Sequence, residues 1–229
     1  MRHPLLDVLE RAAGGQHPPV DGGVTMLPPL LGGHRVVVAL TGHAYLCTDQ
    51  RAEDFADLAI DGFGRALSPE SLLRLADGGG IGENDVILVA PGLRPDDGGE
   101  VGGSGLELPV TTRWDDHHRV RHARNRRRDV RVHGDERGFV TLASGLAGRQ
   151  ELSIEIAAPG TDPGLGRRFL SWARTMVEPG SWLFAAVSPG NARSLRSFLA
   201  TGFVPIGSEV IIDRSGVAAP GPVDVDDQR

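Results

Sequence analysis

The chain contains no lysine; all 24 of its basic residues are arginine. A P-loop holds phosphates with a lysine, and pyridoxal and other Schiff-base enzymes bind a carbonyl through one, so both classes are excluded. Cysteine is scarce too. Cys47 stands alone, which excludes an internal disulfide and any paired-cysteine metal or redox motif, and a lone thiol fits a reducing compartment. No apolar run approaches the roughly 18–20 residues that span a bilayer. The stretch MRHPLLDVLERAAGG breaks its leucines with Asp7, Glu10 and Arg11, which is the pattern of a short amphipathic helix and not of a signal peptide. A cytoplasmic location without a membrane partner is therefore expected. The net charge of −6 argues against a molecule drawn to nucleic acid by overall charge. The glycines at 78–80 and 82 make no dinucleotide-binding GxGxxG, because Glu83 and Asp85 interrupt the pattern, and no GxSxG is present.

What is present is an ordinary globular composition: 229 residues, 40% apolar and 24% charged. That length means one large domain or two small ones, enough to bury a core without staples. The 32 glycines and 16 prolines mark many turns. Residues 1–33 read as the short helix and a connector. Residues 35–48 read as two strands around Thr41-Gly42. In 51–64 Phe55, Leu58, Ala59 and Phe63 recur at helical spacing. In 68–76 Ser68 caps a second helix, with Pro69 at its first position. Residues 84–90 form a buried strand, and the glycine-rich 91–112 a flexible loop. The domain expectation is a segment 1–33, one domain over 34–213 with halves 34–112 and 113–213, and a disordered acidic tail 214–229.

The second half is more regular. An arginine-rich helix is expected over 115–128, with Asp115 or Asp116 as cap. Strands at 129–133, 139–144 and 151–156 form an antiparallel meander. In the last, Leu152, Ile154 and Ile156 face one way and Glu151, Ser153 and Glu155 the other. The loop AAPGTDPGLG leads to a helix over 165–177, whose Leu165, Phe169, Trp172, Ala173 and Met176 form one stripe. A strand over 182–187 follows, then a helix capped by Asn191 and stopped at Gly202, with Phe203 packing back on Phe198. Residues 207–212 form the last strand.

A strand, a glycine loop and a helix N-terminus together suit an anion, because the first turn has unpaired N–H groups and the positive end of the dipole. Arg167 and Arg168 in that turn oppose the dipole unless a phosphate reverses the sign. A glycine-rich connection with two solvated arginines is the alternative. The order strand, Gly-x-Gly loop, helix, strand, then Asn-x-x-Ser running on to Gly-Phe, resembles the GNAT acetyltransferase superfamily. Gly164 and Gly166 match its loop signature, Thr161 stands where a Gln or Arg is usual, and Asn191, Ser194, Gly202 and Phe203 match its second motif. The resemblance covers about 129–212. It implies an α+β fold, an α/β/α sandwich with a mixed, mostly antiparallel sheet flanked by helices, and acetyl-CoA as cosubstrate. It places Pro163, Gly164, Leu165, Gly166, Arg167 and Arg168 on the pyrophosphate. Ile156, Ala157 and Ala158 would lie by the thioester, with a backbone N–H near Ile156 as oxyanion donor. Asn191, Ser194 and Phe198 would lie along the cofactor. Gly164→Glu is then expected to abolish CoA binding with the fold intact.

Amine acetylation needs a base and benefits from an acid for the leaving thiolate. The family's usual tyrosine acid is here Phe198, and the only tyrosine, Tyr45, is distant in sequence. The thiolate would then leave unassisted, or through water or Ser194. Glu151 and Glu155 are the candidate bases, or else simply the polar face of a strand. His118 and His122, four apart, lack a third ligand and the glutamate a zinc site needs, so no metal is expected. The arginines from 119 to 131 read as a solvated helix face, as contacts for the adenosine 3′-phosphate, or, as a remote third reading, as a nucleic-acid surface. The leading expectation is an N-acetyltransferase acting on a small-molecule or protein amine. The alternative is an acyl-CoA-binding module that serves as sensor or scaffold. A homodimer stays open.

Overall fold

The computed structural model describes residues 2–94, 106–158, 160 and 162–213. Thr161, the tail 214–229 and the centre of the loop expected at 91–112 lie outside the described residues. Nine strands make one mixed sheet: β1 (Val24–Leu27), β2 (Arg35–Leu40), β3 (His43–Cys47), β4 (Gly80–Pro91), β5 (Arg128–Asp135), β6 (Gly138–Ser144), β7 (Gln150–Ile156), β8 (Trp182–Val187) and β9 (Val204–Asp213). Their order is β1-β3-β2-β9-β4-β8-β7-β6-β5. Only β1–β3 and β7–β8 pair in parallel. The helices are α1 (Pro4–Ala13), α2 (Pro69–Ala76), α3 (His118–Arg126), α4 (Leu165–Thr175) and α5 (Ala192–Ala200). No helix among the described residues is long and apolar enough to cross a membrane.

Local signals explain most elements. Thr41 and Gly42 both take positive φ, the requirement of the tight turn that joins β2 to β3. The Ser68 side chain accepts from Ser71 N–H, and Asn191 accepts from Ser194 N–H at 3.0 Å. At the end of α5, Phe203 N–H reaches Phe198 O and Gly202 N–H reaches Leu199 O, the two bonds of a Schellman stop. The Phe198 and Phe203 rings pack edge to face with centroids 4.9 Å apart.

Three expectations need correction. The connector before residue 34 contains strand β1, whose Thr25 hydroxyl meets His43 Nε2, while His43 Nδ1 meets Asp21, each at 2.8 Å. These bonds fasten an edge strand of only four residues. Residues 51–64 are not an α-helix: a 3-10 segment covers Ala52–Leu58 and ends where Ala59 turns left-handed, and Phe63 is exposed. The arginine-rich helix is capped by His117, whose Nδ1 accepts from Arg119 N–H at 3.3 Å, and not by Asp115 or Asp116. Asp115 instead pairs with Arg124.

The sheet buries both faces. Leu88, Ala90, Leu142, Leu152, Leu183 and Ala185 pack under α4 and α5. Ile87, Val89, Phe184, Val36 and Val38 alternate with them on the opposite face, under α1. Helix α2 covers Val37, Leu46, Val210 and Ile212, and α3 covers Val132 and Phe139. Strand β4, from the first half of the chain, lies between β8 and β9, from the second.

Candidate functional site

Strand β7 pairs with β6 along its whole length, from Ser144–Gln150 to Gly138–Ile156, and β8 pairs with β4 from Val86–Val187 to Pro91–Trp182. Between β7 and β8 one register pair exists, Glu151 with Phe184. The two strands therefore part toward their carboxyl ends, and the sheet opens into a wedge. Both following helices start at that mouth: β7 leads through residues 157–164 into α4, and β8 leads through Ser188-Pro189-Gly190 to α5. Ligands of open sheets with parallel strands bind outside the carboxyl ends of those strands.

The backbone of β7 turns polar groups into the wedge. Ala157 N–H donates to Arg137 O at 2.9 Å, that is, towards β6. Successive peptide groups of a strand face alternate edges, so the Ile154 and Ile156 N–H groups face the opening. Ile156 is the residue near which the oxyanion donor is expected. The bond to Arg137 removes the Ala157 N–H from that role.

At the helix side, Gly164 has φ +87 and precedes the first turn of α4. A side chain there is strained whatever space surrounds it, so Gly164→Glu confounds strain with charge. Gly166 differs. Its backbone is helical, and an added Cβ would meet only Ile156 Cγ1, at 3.9 Å. Glycine inside a helix costs about 0.5–1 kcal/mol relative to alanine. Nothing among the described residues requires a glycine at position 166. Arg167 is exposed beside this turn. Arg168 pairs with Asp162, so it meets a carboxylate and not open solvent. Leu165 is in the core, and Pro163 is exposed.

The second motif is partly structural. The Asn191 side chain caps α5, and Ser194 is half-buried in its first turn. Phe198 is 3% exposed and sits in the α4–α5 core.

The candidate bases fare differently from expectation. Glu151 is not on a solvated face. It is buried, with Arg149 Nε at 2.8 Å and Arg127 Nη2 at 2.6 Å. Burial alone would raise its pKa, but Arg127 and Arg149 outweigh burial and hold the carboxyl at about 2. Such a group does not take a proton from an amine at neutral pH. Glu155 pairs with Arg119 of α3, which also shows that the arginine face of that helix leans on the wedge. His122 is pushed down to about 4 by burial and by Arg126, Arg127 and Arg119.

Sequence reasoning missed the centre of this cluster. Arg149, fully buried, places Nη1 and Nη2 on the two Glu209 oxygens at 2.6 and 2.7 Å and stacks on the Phe184 ring at 5.5 Å. Glu209 is in direct cross-strand register with Asp85 of β4. Among the described residues no hydrogen bond to the Asp85 carboxylate is found. Burial, then the charges of Glu209, Glu83 and Glu151, push Asp85 up to about 6 against the opposing pull of Arg149. The only signal in the sequence was an acid inside the apolar run 84–90.

This makes a stability prediction. The folded value of Asp85 lies above the ordinary aspartate value of 3.8, so its protonated form favours the fold below about pH 4, and that advantage is lost as the pH rises through 6. The full shift is worth roughly 3 kcal/mol, which screening at a half-buried site reduces to about 1–2 kcal/mol. Asp85→Asn is expected to stabilise the protein by that amount at pH 8 and to change nothing at pH 3.5. Thermal unfolding at the two pH values checks it; equal shifts at both contradict it.

Two concavities lie away from the mouth. A shallow groove of about 870 Å³ runs between α1 and β1 and reaches Trp182 at the start of β8. A pocket of about 430 Å³ sits at the closed end, by Glu151 and Leu183.

The observed architecture is the one expected, a mostly antiparallel mixed sheet flanked by helices. No family model and no curated protein matches this chain. Among solved structures it is similar to a GCN5-related N-acetyltransferase from Kribbella flavida, at 14% identity and a TM-score of 0.41 over 65% of each chain. It is also similar to an acetyltransferase from the GNAT family from Colwellia psychrerythraea, at 8% identity and a TM-score of 0.36, over 64% of this chain and 62% of that one. The chain thus spans just under two thirds of the length of either structure.

Proposed function

We propose that this protein binds an acyl-coenzyme A, acetyl-CoA first of all, in the wedge between β7 and β8 and transfers the acyl group to an amine. The observation that carries this reading is the single Glu151–Phe184 pairing between two otherwise fully paired strands, which leaves the Ile154 and Ile156 N–H groups facing an opening where two helices begin.

The residues present fit the ligand. The first turn of α4, with its bare Gly166 and exposed Arg167, suits a pyrophosphate. The inward N–H groups of β7 suit a linear amide chain and, at a carbonyl, the charge that develops on oxygen. Bound acyl-CoA supplies an acyl group already activated as a thioester. Ser194 is the hydroxyl at the start of α5 available to the leaving sulfur, and Phe198 donates nothing.

Isothermal titration with acetyl-CoA and CoA, followed by thiol release on the same sample with a panel of amines, tests the proposal. Micromolar binding together with thiol release is expected. Binding without release for any amine supports the sensor or scaffold alternative, for which the buried Phe198 in place of a tyrosine speaks. Absence of binding overturns both.

A further inference from the structure

We propose that Asp85, a residue of the first half of the chain, is the group that takes the proton from the acceptor amine. The assignment rests on the transfer reading above and deepens it.

Position comes first. Val86 is paired with Val187, the last residue of β8, so Asp85 lies level with Ser188, at the mouth of the wedge. Neighbouring strands are about 4.8 Å apart, which places the Asp85 backbone one strand spacing from the wall of the opening. Its side chain shares the face of Ile87 and Val89, the face on which Phe184 and Arg149 lie.

Elimination comes second. Four carboxylates from three strands gather on this face: Asp85 on β4, Glu151 and Glu155 on β7, and Glu209 on β9. Glu151 is held by Arg127 and Arg149, Glu209 by both terminal nitrogens of Arg149, and Glu155 by Arg119. Among the described residues Asp85 has no such partner, although Glu209 stands directly across from it. Arg149 directs Nε to Glu151 and both terminal nitrogens to Glu209, so the network fixes the walls and pairs directly with the two glutamates and not with Asp85. The charged groups around Asp85 are Glu209, Glu83 and Glu151, all opposing its ionisation, and Arg149, favouring it. A half-buried carboxylate in that company has the basicity that proton transfer near neutral pH calls for.

The step balances without a further reactant. The amine nitrogen bonds to the thioester carbonyl carbon, the carbon–sulfur bond breaks, and the electron pair leaves on sulfur. The proton displaced from nitrogen passes to the Asp85 carboxylate and from there to water.

The test is the pH profile of thiol release from acetyl-CoA, with spermidine, tyramine and a lysine-containing peptide as acceptors, for the wild type, Asp85→Asn and Asp85→Glu. The wild type is expected to rise to a plateau through about pH 6. Asp85→Asn is expected to bind acetyl-CoA unchanged in titration, to lose on the order of 100-fold or more in kcat/KM, and to lose the inflection near pH 6. Asp85→Glu is expected to recover part of the rate and the inflection. Asp85→Asn with wild-type rate and profile overturns the assignment while leaving transfer standing. Wild-type protein that binds acetyl-CoA and releases no thiol with any acceptor overturns transfer, and this assignment with it. Because Asp85→Asn is expected to be no less stable than the wild type, a lost rate is not a lost fold.

Discussion

Gly166→Glu is expected to weaken acetyl-CoA binding by about 2–3 kcal/mol, roughly 30- to 150-fold in Kd, while the protein becomes no less stable. The two effects have opposite physical origins. A pyrophosphate at the first turn of α4 would be held by charge-assisted bonds from backbone N–H groups, and a carboxylate on the same turn competes for those donors and repels the ligand. The fold gains, because replacing a helical glycine removes an entropic cost and an acid in the first turn complements the helix dipole. Among the described residues outside the helix backbone, the atom near the new Cβ is Ile156 Cγ1, at an ordinary contact distance of 3.9 Å. Gly166→Ala separates bulk from charge and is expected to bind more weakly than the wild type but better than Gly166→Glu. Titration and thermal unfolding on the same three samples decide the matter. A Gly166→Glu protein with unchanged affinity places the phosphates elsewhere.

Arg149→Met is expected to destabilise the protein by about 3–5 kcal/mol, because it strands the carboxylates of Glu151 and Glu209 in the interior. For a chain of this length that lowers Tm by on the order of 10 °C. The buried pair is not itself a large source of stability, since the desolvation of its ions offsets much of their attraction. The cost arises from removing one partner. Combining Arg149→Met with Glu209→Leu and Glu151→Gln is therefore expected to recover most of the loss. A single Arg149→Met variant that loses less than about 1 kcal/mol would mean that the network is solvated and does not constrain Asp85.

Both predictions concern a site that was half legible in the sequence. Elements set by local periodicity were readable. The stripe Leu165, Phe169, Trp172, Ala173 places α4, Asn191 caps α5 in place, and the alternation in β7 assigns its two faces correctly. The burial of Glu151 was not readable, because alternation says which side chains share a face and not what covers that face. The cover is Arg127 and Arg149, and Arg149 comes from a turn whose sequence resembles any polar surface loop. Residues 51–64 mislead for a related reason: helical spacing is present, but Ala59 turns left-handed and the segment closes as a 3-10 turn. Asp85 was the least legible. Its significance depends on β4 lying between β8 and β9, both more than 90 residues further along the chain, and on a register that sets it opposite Glu209. No local pattern encodes either. The resemblance over 129–212 does not reach β4 at all.

The central claim is that the wedge between β7 and β8 holds the cofactor. Hydrogen–deuterium exchange with and without saturating acetyl-CoA tests it most directly, because it reports the backbone N–H groups on which the claim rests. Protection is expected at Ile154 and Ile156 and in the first turns of α4 and α5, with no change in α1 or β1. Protection confined to the groove between α1 and β1, or no change at the β7 carboxyl end with ligand bound, contradicts it.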